Sequence, residues 1–228
     1  MLTGVYQVFV RTSGCNLECA YCDTPETRIR GATCRILDSR GRSRETSNPV
    51  AVTEVFEIVS DMWTGACHSV SLTGGEPLLQ AEALGSLLEL MGERGFPVYL
   101  ETNGTLHWEL SELLPRLDWI AMDVKLPSSQ GGIDILEDHR HFLRLARSKR
   151  VFVKIVIEAC TGEEEFRRAC RVISDEAPDV PLALQPVTTG SGGMGVSFLE
   201  MISFHALAAE YFQEVRVIPQ IHHILGAR

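Results

Sequence analysis

The chain has 228 residues, a formal net charge of −9 and a pI near 5.3, so it lacks the surplus of Lys and Arg on which a broad nucleic-acid footprint rests. No apolar run approaches the roughly 18 residues needed to span a bilayer, and no basic-plus-apolar leader precedes the first strand-like stretch; no membrane partner and a cytoplasmic setting are expected. Seven cysteines, an odd number with three clustered, do not form a secreted disulfide framework and suit a reducing compartment.

At this length one core and one domain, residues 1–228, are expected. The apolar stretch Val5 to Val10 predicts a first strand, followed by a cysteine-rich loop and an arginine-rich segment, residues 23–48. A helical pattern runs from Thr53 to Trp63, and a short strand from Ser69 to Leu72. A helix from Ala81 to Arg94 follows, with Gly95 placed to end it. Strands are predicted at Val98 to Glu101 and Trp119 to Met122, then a helix from His139 to Ser148 and a strand from Phe152 to Ile157. Thr161 and Glu164 have capping-box spacing at the start of a helix from Glu163 to Glu176. A strand from Leu182 to Gln185, a helix from Phe198 to Phe212 and a strand from Val215 to Ile218 complete the series. This alternation predicts an α/β fold, with a parallel sheet, helices packed outside it, and an open or partial βα barrel as its closure.

The run Cys15-Asn16-Leu17-Glu18-Cys19-Ala20-Tyr21-Cys22 puts three thiols in eight residues. Structural zinc closes its shell with four Cys or His ligands, whereas three thiolates on a [4Fe-4S] cluster leave one iron open for a substrate or cofactor. The missing fourth ligand favours a cluster. The competing readings are a zinc site completed by Cys34 or Cys67, or three unrelated thiols. Cys34, Cys67, Cys160 and Cys170 otherwise read as ordinary small side chains. The spacing resembles the signature of the radical S-adenosylmethionine superfamily, whose open iron chelates the amino and carboxylate groups of the methionine moiety. By that resemblance Cys15, Cys19 and Cys22 hold the cluster, and Tyr21 packs near the adenine.

A second motif, Thr73-Gly74-Gly75-Glu76-Pro77, closes the strand that begins at Ser69. Paired glycines at a strand end let a ligand approach the backbone, and the carboxylate beyond them can accept from an ammonium group. The plainer reading is a strand-to-helix turn. In the superfamily a Gly-Gly-Glu at this place holds the methionine amino group. Other polar segments also fall just after strands: Glu101-Thr102-Asn103, Asp123-Val124-Lys125, Gln185-Pro186-Val187-Thr188 and Pro219-Gln220. Ligands bind at the carboxyl ends of strands in α/β sheets and barrels. These groups are therefore expected to converge on one mouth.

Longer strings narrow the resemblance. Phe9-Val10-Arg11, Gly14-Cys15-Asn16-Leu17, Cys22-Asp23-Thr24, Thr73-Gly74-Gly75-Glu76-Pro77-Leu78, Glu101-Thr102-Asn103-Gly104-Thr105 and Arg216-Val217-Ile218-Pro219-Gln220 together resemble the 7-carboxy-7-deazaguanine synthases over nearly the whole chain. That resemblance implies a reduced radical SAM barrel, usually a homodimer. It implies conversion of 6-carboxytetrahydropterin to 7-carboxy-7-deazaguanine with loss of ammonia, on the way to queuosine or archaeosine. The cluster would deliver an electron to S-adenosylmethionine, and the 5′-deoxyadenosyl radical would abstract hydrogen from C6 of the pterin. Thr24 matches the family's Mg²⁺ ligand, one oxygen donor among water and substrate oxygens. Arg11, Thr73, Glu101 and His222 match substrate positions, where a guanidinium can pair bidentately with a carboxylate. Gly74, Gly75, Glu76, Asp123, Val124, Lys125, Gln185, Pro186, Val187 and Thr188 match segments that contact S-adenosylmethionine.

The family's opening strand and Ile-Gln-Gly-Glu-Gly loop would precede Met1-Leu2-Thr3-Gly4, so a truncated start or altered substrate binding is expected. Its Pro-Gln-Thr-His-Lys tail reads Pro219-Gln220-Ile221-His222-His223 here. Arg28, Arg30, Arg35, Arg40, Arg42 and Arg44 form a loop able to dock an acidic flavodoxin or ferredoxin, although such charge runs are more often solvated segments. Two other functions compete: an activase that installs a glycyl radical in a partner protein, and a non-catalytic metal-binding module.

Overall fold

The structure, a computed structural model, describes residues 2–189 and 193–221. Strand β1 (Tyr6–Thr12) leads through the cysteine loop and a 3-10 turn (Pro25–Arg28) into a hairpin of β2 (Thr33–Leu37) and β3 (Ser43–Ser47). Then come α1 (Val52–Met62), β4 (Cys67–Gly74), α2 (Ala81–Arg94), β5 (Val98–Thr102), α3 (His107–Leu113), β6 (Trp119–Val124), α4 (Leu136–Ala146), β7 (Arg150–Ile157), α5 (Glu163–Glu176), β8 (Leu182–Pro186), α6 (Phe198–Ala209) and β9 (Val215–Val217).

The main sheet has the order β1-β4-β5-β6-β7-β8-β9, and every neighbouring pair is parallel. Because this order follows the chain, right-handed crossovers carry the connecting helices onto one face. The helices touch in succession, from α1 against α2 to α5 against α6, and form a single layer. The edges β1 and β9 are not paired with each other among the described residues. The result is the expected open βα barrel. No helix among the described residues is long and apolar enough to cross a membrane.

Strand side chains alternate between faces, and this alternation sorts the chemistry. Val70 and Leu72, Val98 and Leu100, Ile120 and Met122, Val153 and Ile155, and Leu182 and Leu184 are buried in one core with the helices. The intervening residues, including Thr73, Glu101, Asp123, Lys154 and Gln185, face the side that the helices leave open. Lower on that inner face, Tyr99 of β5, in register with Trp119, and Phe152 of β7, in register with Ala121, stack at 6.2 Å between centroids. They give the mouth an apolar floor.

Three local differences from the sequence reading have physical causes. The segment 23–48, read as a loop, contains the β2–β3 hairpin, whose mostly polar residues give no apolar alternation to detect. Helix α3 spans only seven residues, too few for a 3.6-residue period to declare itself. The cap of α5 lies one residue later than the Thr161/Glu164 spacing predicts. The Glu165 carboxylate accepts from Gly162 N at 2.9 Å and from Ser128 N at 2.9 Å, while the Thr161 hydroxyl accepts from Glu158 N. Gly95 ends α2 in the left-handed region, φ 68°, as its position predicts.

Candidate active site

The loop after β1 folds across the ends of β4, β5 and β6. Gly75 N donates to Thr12 O at 3.1 Å, Glu76 N to Gly14 O at 2.8 Å, and Ala20 N to Ser129 O at 3.0 Å. Asn103 Nδ2 donates to Asn16 Oδ1 at 2.8 Å, and Asn16 Nδ2 to Thr105 Oγ1 at 2.9 Å. Gly74 has φ 129°, and a Cβ there would collide with the Thr12 backbone; one on Gly75 would collide with the Gly14 carbonyl. The glycine pair thus lets two protein segments meet.

Cys15, Cys19 and Cys22 are free thiols, and Cys19 is buried. Burial pushes the Cys15 thiol up. Among the described residues no three His, Cys, Asp or Glu side chains come close enough to hold one metal ion. A cubane cluster spreads its thiolates over three irons and needs them apart, and a donor set of three thiols with no fourth matches a cluster that leaves one iron open, where structural zinc takes four. Among the described residues neither Cys34 nor Cys67 joins the three thiols as a fourth ligand of one metal ion. Cys67 opens β4 opposite Tyr6, roughly 20 Å along the strand from Gly74, and Cys34 pairs with Thr46 in the hairpin. The three thiols and their place therefore fit a [4Fe-4S] cluster.

A charged group rises from β6 and β7 beside this loop. Lys125 Nζ and Lys154 Nζ lie 2.8 and 3.0 Å from Asp123 Oδ2. Burial works to raise Asp123, but the two ammonium groups outweigh it and hold the carboxyl below its usual range. Burial likewise opposes the Lys125 charge, and Asp123 overrides it. Lys125 Nζ stands 5.0 Å from the centre of the Tyr21 ring. Two cations against one anion leave this trio with a surplus positive charge, and Asp123 Oδ1 is buried without a hydrogen-bond partner. That unsatisfied acceptor fits a ligand that donates hydrogen bonds, as the ribose or amine of S-adenosylmethionine does.

His139 fixes this segment from behind. Its Nε2 accepts from Lys125 N at 2.9 Å and its Nδ1 lies 3.0 Å from Gly104 O. The ring is therefore the neutral tautomer with its proton on Nδ1, and burial lowers its pKa in support. Glu76 is fully buried. Its Oε1 accepts from Leu78 N and Thr102 Oγ1 at 3.1 and 2.9 Å, and its Oε2 from Asn103 N at 2.7 Å. The carboxylate thus points toward the β5 loop. Burial pushes it up to about 7 despite these donors.

On the inner face, Arg11 pairs in register with Thr73, and Thr73 Oγ1 donates to Glu101 Oε2 at 2.9 Å. Gln220 Oε1 accepts from Thr188 N at 3.0 Å while its Nε2 donates to Asp23 Oδ2 at 3.2 Å. The Cys-Asp-Thr string, the Gln185-to-Thr188 segment and the Pro-Gln tail thereby meet. The half-buried Thr24 precedes the 3-10 turn, its carbonyl accepting from Thr27 Oγ1 at 2.8 Å. His222 lies outside the described residues. Sequence reasoning missed Lys154 and His139. The first had a signal, a lone cation in the apolar run Val151 to Ile157; the second had none, because its role depends on where α4 packs.

The sequence pattern of the radical SAM superfamily matches residues 9–171. The chain is 42% identical to the 7-carboxy-7-deazaguanine synthase of Geobacter sulfurreducens, over 99% of this chain and 92% of that one. It is 30% identical to the synthase of Thermococcus kodakarensis over 98% and 90%. Its fold is similar to that of a radical SAM methyltransferase from Sphaerobacter thermophilus, with TM-score 0.64, 14% identity, and coverage of 96% of this chain and 68% of that one. Streptococcus suis SuiB bound to S-adenosylmethionine gives TM-score 0.63 at 12% identity, over 94% and 47%. With such identity over almost its whole length, the chain belongs to the 7-carboxy-7-deazaguanine synthase family, within a superfamily whose chemistry rests on a [4Fe-4S] cluster and S-adenosylmethionine.

Proposed function

We propose that this chain converts 6-carboxy-5,6,7,8-tetrahydropterin to 7-carboxy-7-deazaguanine with loss of ammonia, using a [4Fe-4S] cluster, S-adenosylmethionine and Mg²⁺. The observation that carries this reading is convergence. The cysteine loop, the Gly-Gly-Glu turn and the polar ends of β5, β6 and β8 are hydrogen-bonded into one mouth at the carboxyl end of the sheet. Cys15, Cys19 and Cys22 would hold the cluster. Tyr21, Gly74, Gly75, Glu76, Asp123 to Lys125 and Gln185 to Thr188 would hold S-adenosylmethionine, with the Glu76 carboxylate fixing the turn through Asn103. Bound there, the two groups supply an electron and a hydrogen-abstracting radical.

The chain's own part is to position the pterin and keep water out. The Arg11 guanidinium is complementary to the pterin carboxylate, and Glu101 can accept from the guanidine-like edge of the ring, with Thr73 orienting it. Thr24 would give Mg²⁺ one oxygen, the others coming from water and the substrate carboxylate. His222 is a further candidate contact to the pterin. The Tyr99 and Phe152 floor supplies an apolar wall. A flavodoxin or ferredoxin would be the reductant and a second copy the partner in a homodimer, to be read from the mass in sedimentation.

The test is direct. Anaerobically reconstituted protein given S-adenosylmethionine, dithionite, Mg²⁺ and 6-carboxytetrahydropterin should release ammonia and 7-carboxy-7-deazaguanine, and Cys19→Ala should take up little iron. Reconstituted protein that cleaves S-adenosylmethionine without making this product defeats the substrate assignment.

A further inference from the structure

The β2–β3 hairpin and the segment entering it carry charge opposite to the rest of the chain. Residues 28–47 hold six arginines against two carboxylates, Asp38 and Glu45, a net of +4 in a chain of −9, which leaves −13 for the remainder. Arg42 is held by Asp38 at 2.7 Å, and Arg35 lies across from Glu45. Arg30, Arg40 and Arg44 are exposed and form no ion pair among the described residues. Between these charges stand two aliphatic side chains in solvent, Ile29 at 77% exposure and Leu37 at 52%. Arginine around exposed aliphatic groups, with lysine absent, is the composition of a protein interface. A phosphate-binding track has no need of the aliphatic groups.

The patch is anchored to the cysteine loop. Arg28 Nη2 donates to Cys19 O at 2.6 Å, and Gly14 N donates to Thr27 O at 2.7 Å. At the hairpin root, Asn48 Nδ2 donates to both Gly31 O and Thr33 O at 2.9 Å, and Asn48 N donates to Ala32 O at 2.9 Å. Thr33 is no more than about 18 Å of chain from Arg28. The root of the hairpin is thereby tied to the loop that carries the three thiols.

We propose that this hairpin is the docking surface for an acidic one-electron carrier protein that reduces the cluster held by Cys15, Cys19 and Cys22. The inference rests on the reading that this loop holds such a cluster. The carrier's reduced flavin or iron–sulfur centre loses one electron and the cluster gains it, with no bond formed or broken. The −13 charge on the rest of the molecule repels an acidic partner from other faces. The hairpin therefore sets the orientation as well as the rate of encounter.

The experiment compares the cluster-loaded protein with its R30E/R40E/R44E variant, matched for iron content and far-UV circular dichroism. Affinity for oxidised flavodoxin is measured by titration calorimetry, and the rate of cluster reduction by reduced flavodoxin by anaerobic stopped-flow. A two-iron ferredoxin serves as the second carrier. The variant should bind at least about tenfold more weakly, be reduced about tenfold more slowly, and lose most of its salt dependence, while reduction by dithionite and binding of S-adenosylmethionine stay unchanged. Equal rates and affinities for wild type and variant with both carriers overturn the proposal. So does failure of both carriers on wild-type protein that dithionite reduces, or charge-dependent binding of transfer RNA with no effect on the carriers. Hairpin-dependent reduction in a protein that makes no deazaguanine would sustain the docking surface while defeating the substrate reading.

Discussion

Glu76 is a carboxyl group with no exposure to solvent, and that has a measurable consequence. Its pKa stands near 7 in the folded protein against an ordinary 4.5. Between those values the folded state keeps a proton that the unfolded chain releases, so the stability Glu76 contributes is full below about pH 4.5 and is lost as pH rises through 7. The difference is on the order of 3 kcal/mol. Glu76→Gln keeps an acceptor for Leu78 and Thr102 but loses the one for Asn103 N. It should be less stable at pH 5 and should lack the decline toward pH 7.5. Urea midpoints that run parallel for the two proteins across this range would contradict the assignment. Arg11 is the residue with most leverage on substrate. Arg11→Ala removes charge-assisted hydrogen bonds worth about 1.5–3 kcal/mol, or roughly ten- to a hundredfold in pterin affinity, with S-adenosylmethionine affinity unchanged. In the same titration, Thr24→Ala should raise the Mg²⁺ concentration needed for pterin binding. Equal changes in both ligands' affinities would mark Arg11 as structural.

At the scale of elements, the decisive contact is between the end of β4 and the loop leaving β1. The Gly75 and Glu76 amides bond to Thr12 and Gly14, and the glycines let the two backbones close. Gly75→Ala places a methyl group against the Gly14 carbonyl, so the cysteine loop must shift. The expected cost is about 1–3 kcal/mol or more, with iron uptake falling well below wild type while far-UV circular dichroism still shows the sheet and helices. A variant that melts with the wild type and binds full iron would show that the loop tolerates displacement. The same logic explains His139, which joins α4 to the ends of β5 and β6. Its two hydrogen bonds hold the backbone on which Lys125 depends.

Over the whole molecule, Gln220 and Asp23 stand 197 positions apart in the chain and 3.2 Å apart in space. This latch ties the last described segment to the loop after the third cysteine. Gln220→Ala leaves Thr188 N without its acceptor and should cost about 1–3 kcal/mol, at about 2–4 °C of melting temperature per kcal/mol. Affinity for S-adenosylmethionine should fall as well. Scanning fluorimetry and calorimetry read both, and a wild-type melting temperature would show the latch to be dispensable. The sequence alone determined the order of strands and helices, because two-residue and 3.6-residue periodicities are local, and it marked Cys15 to Cys22 and the Gly-Gly-Glu run, because chemistry with fixed spacing is local too. It did not determine where Gly74 and Gly75 find their close neighbour, which way Glu76 turns, or that Lys154 and His139 join Asp123 and Lys125. Those depend on strand register and helix packing between distant segments, and only the closed tertiary structure, in which burial and hydrogen bonding select one arrangement, decided them.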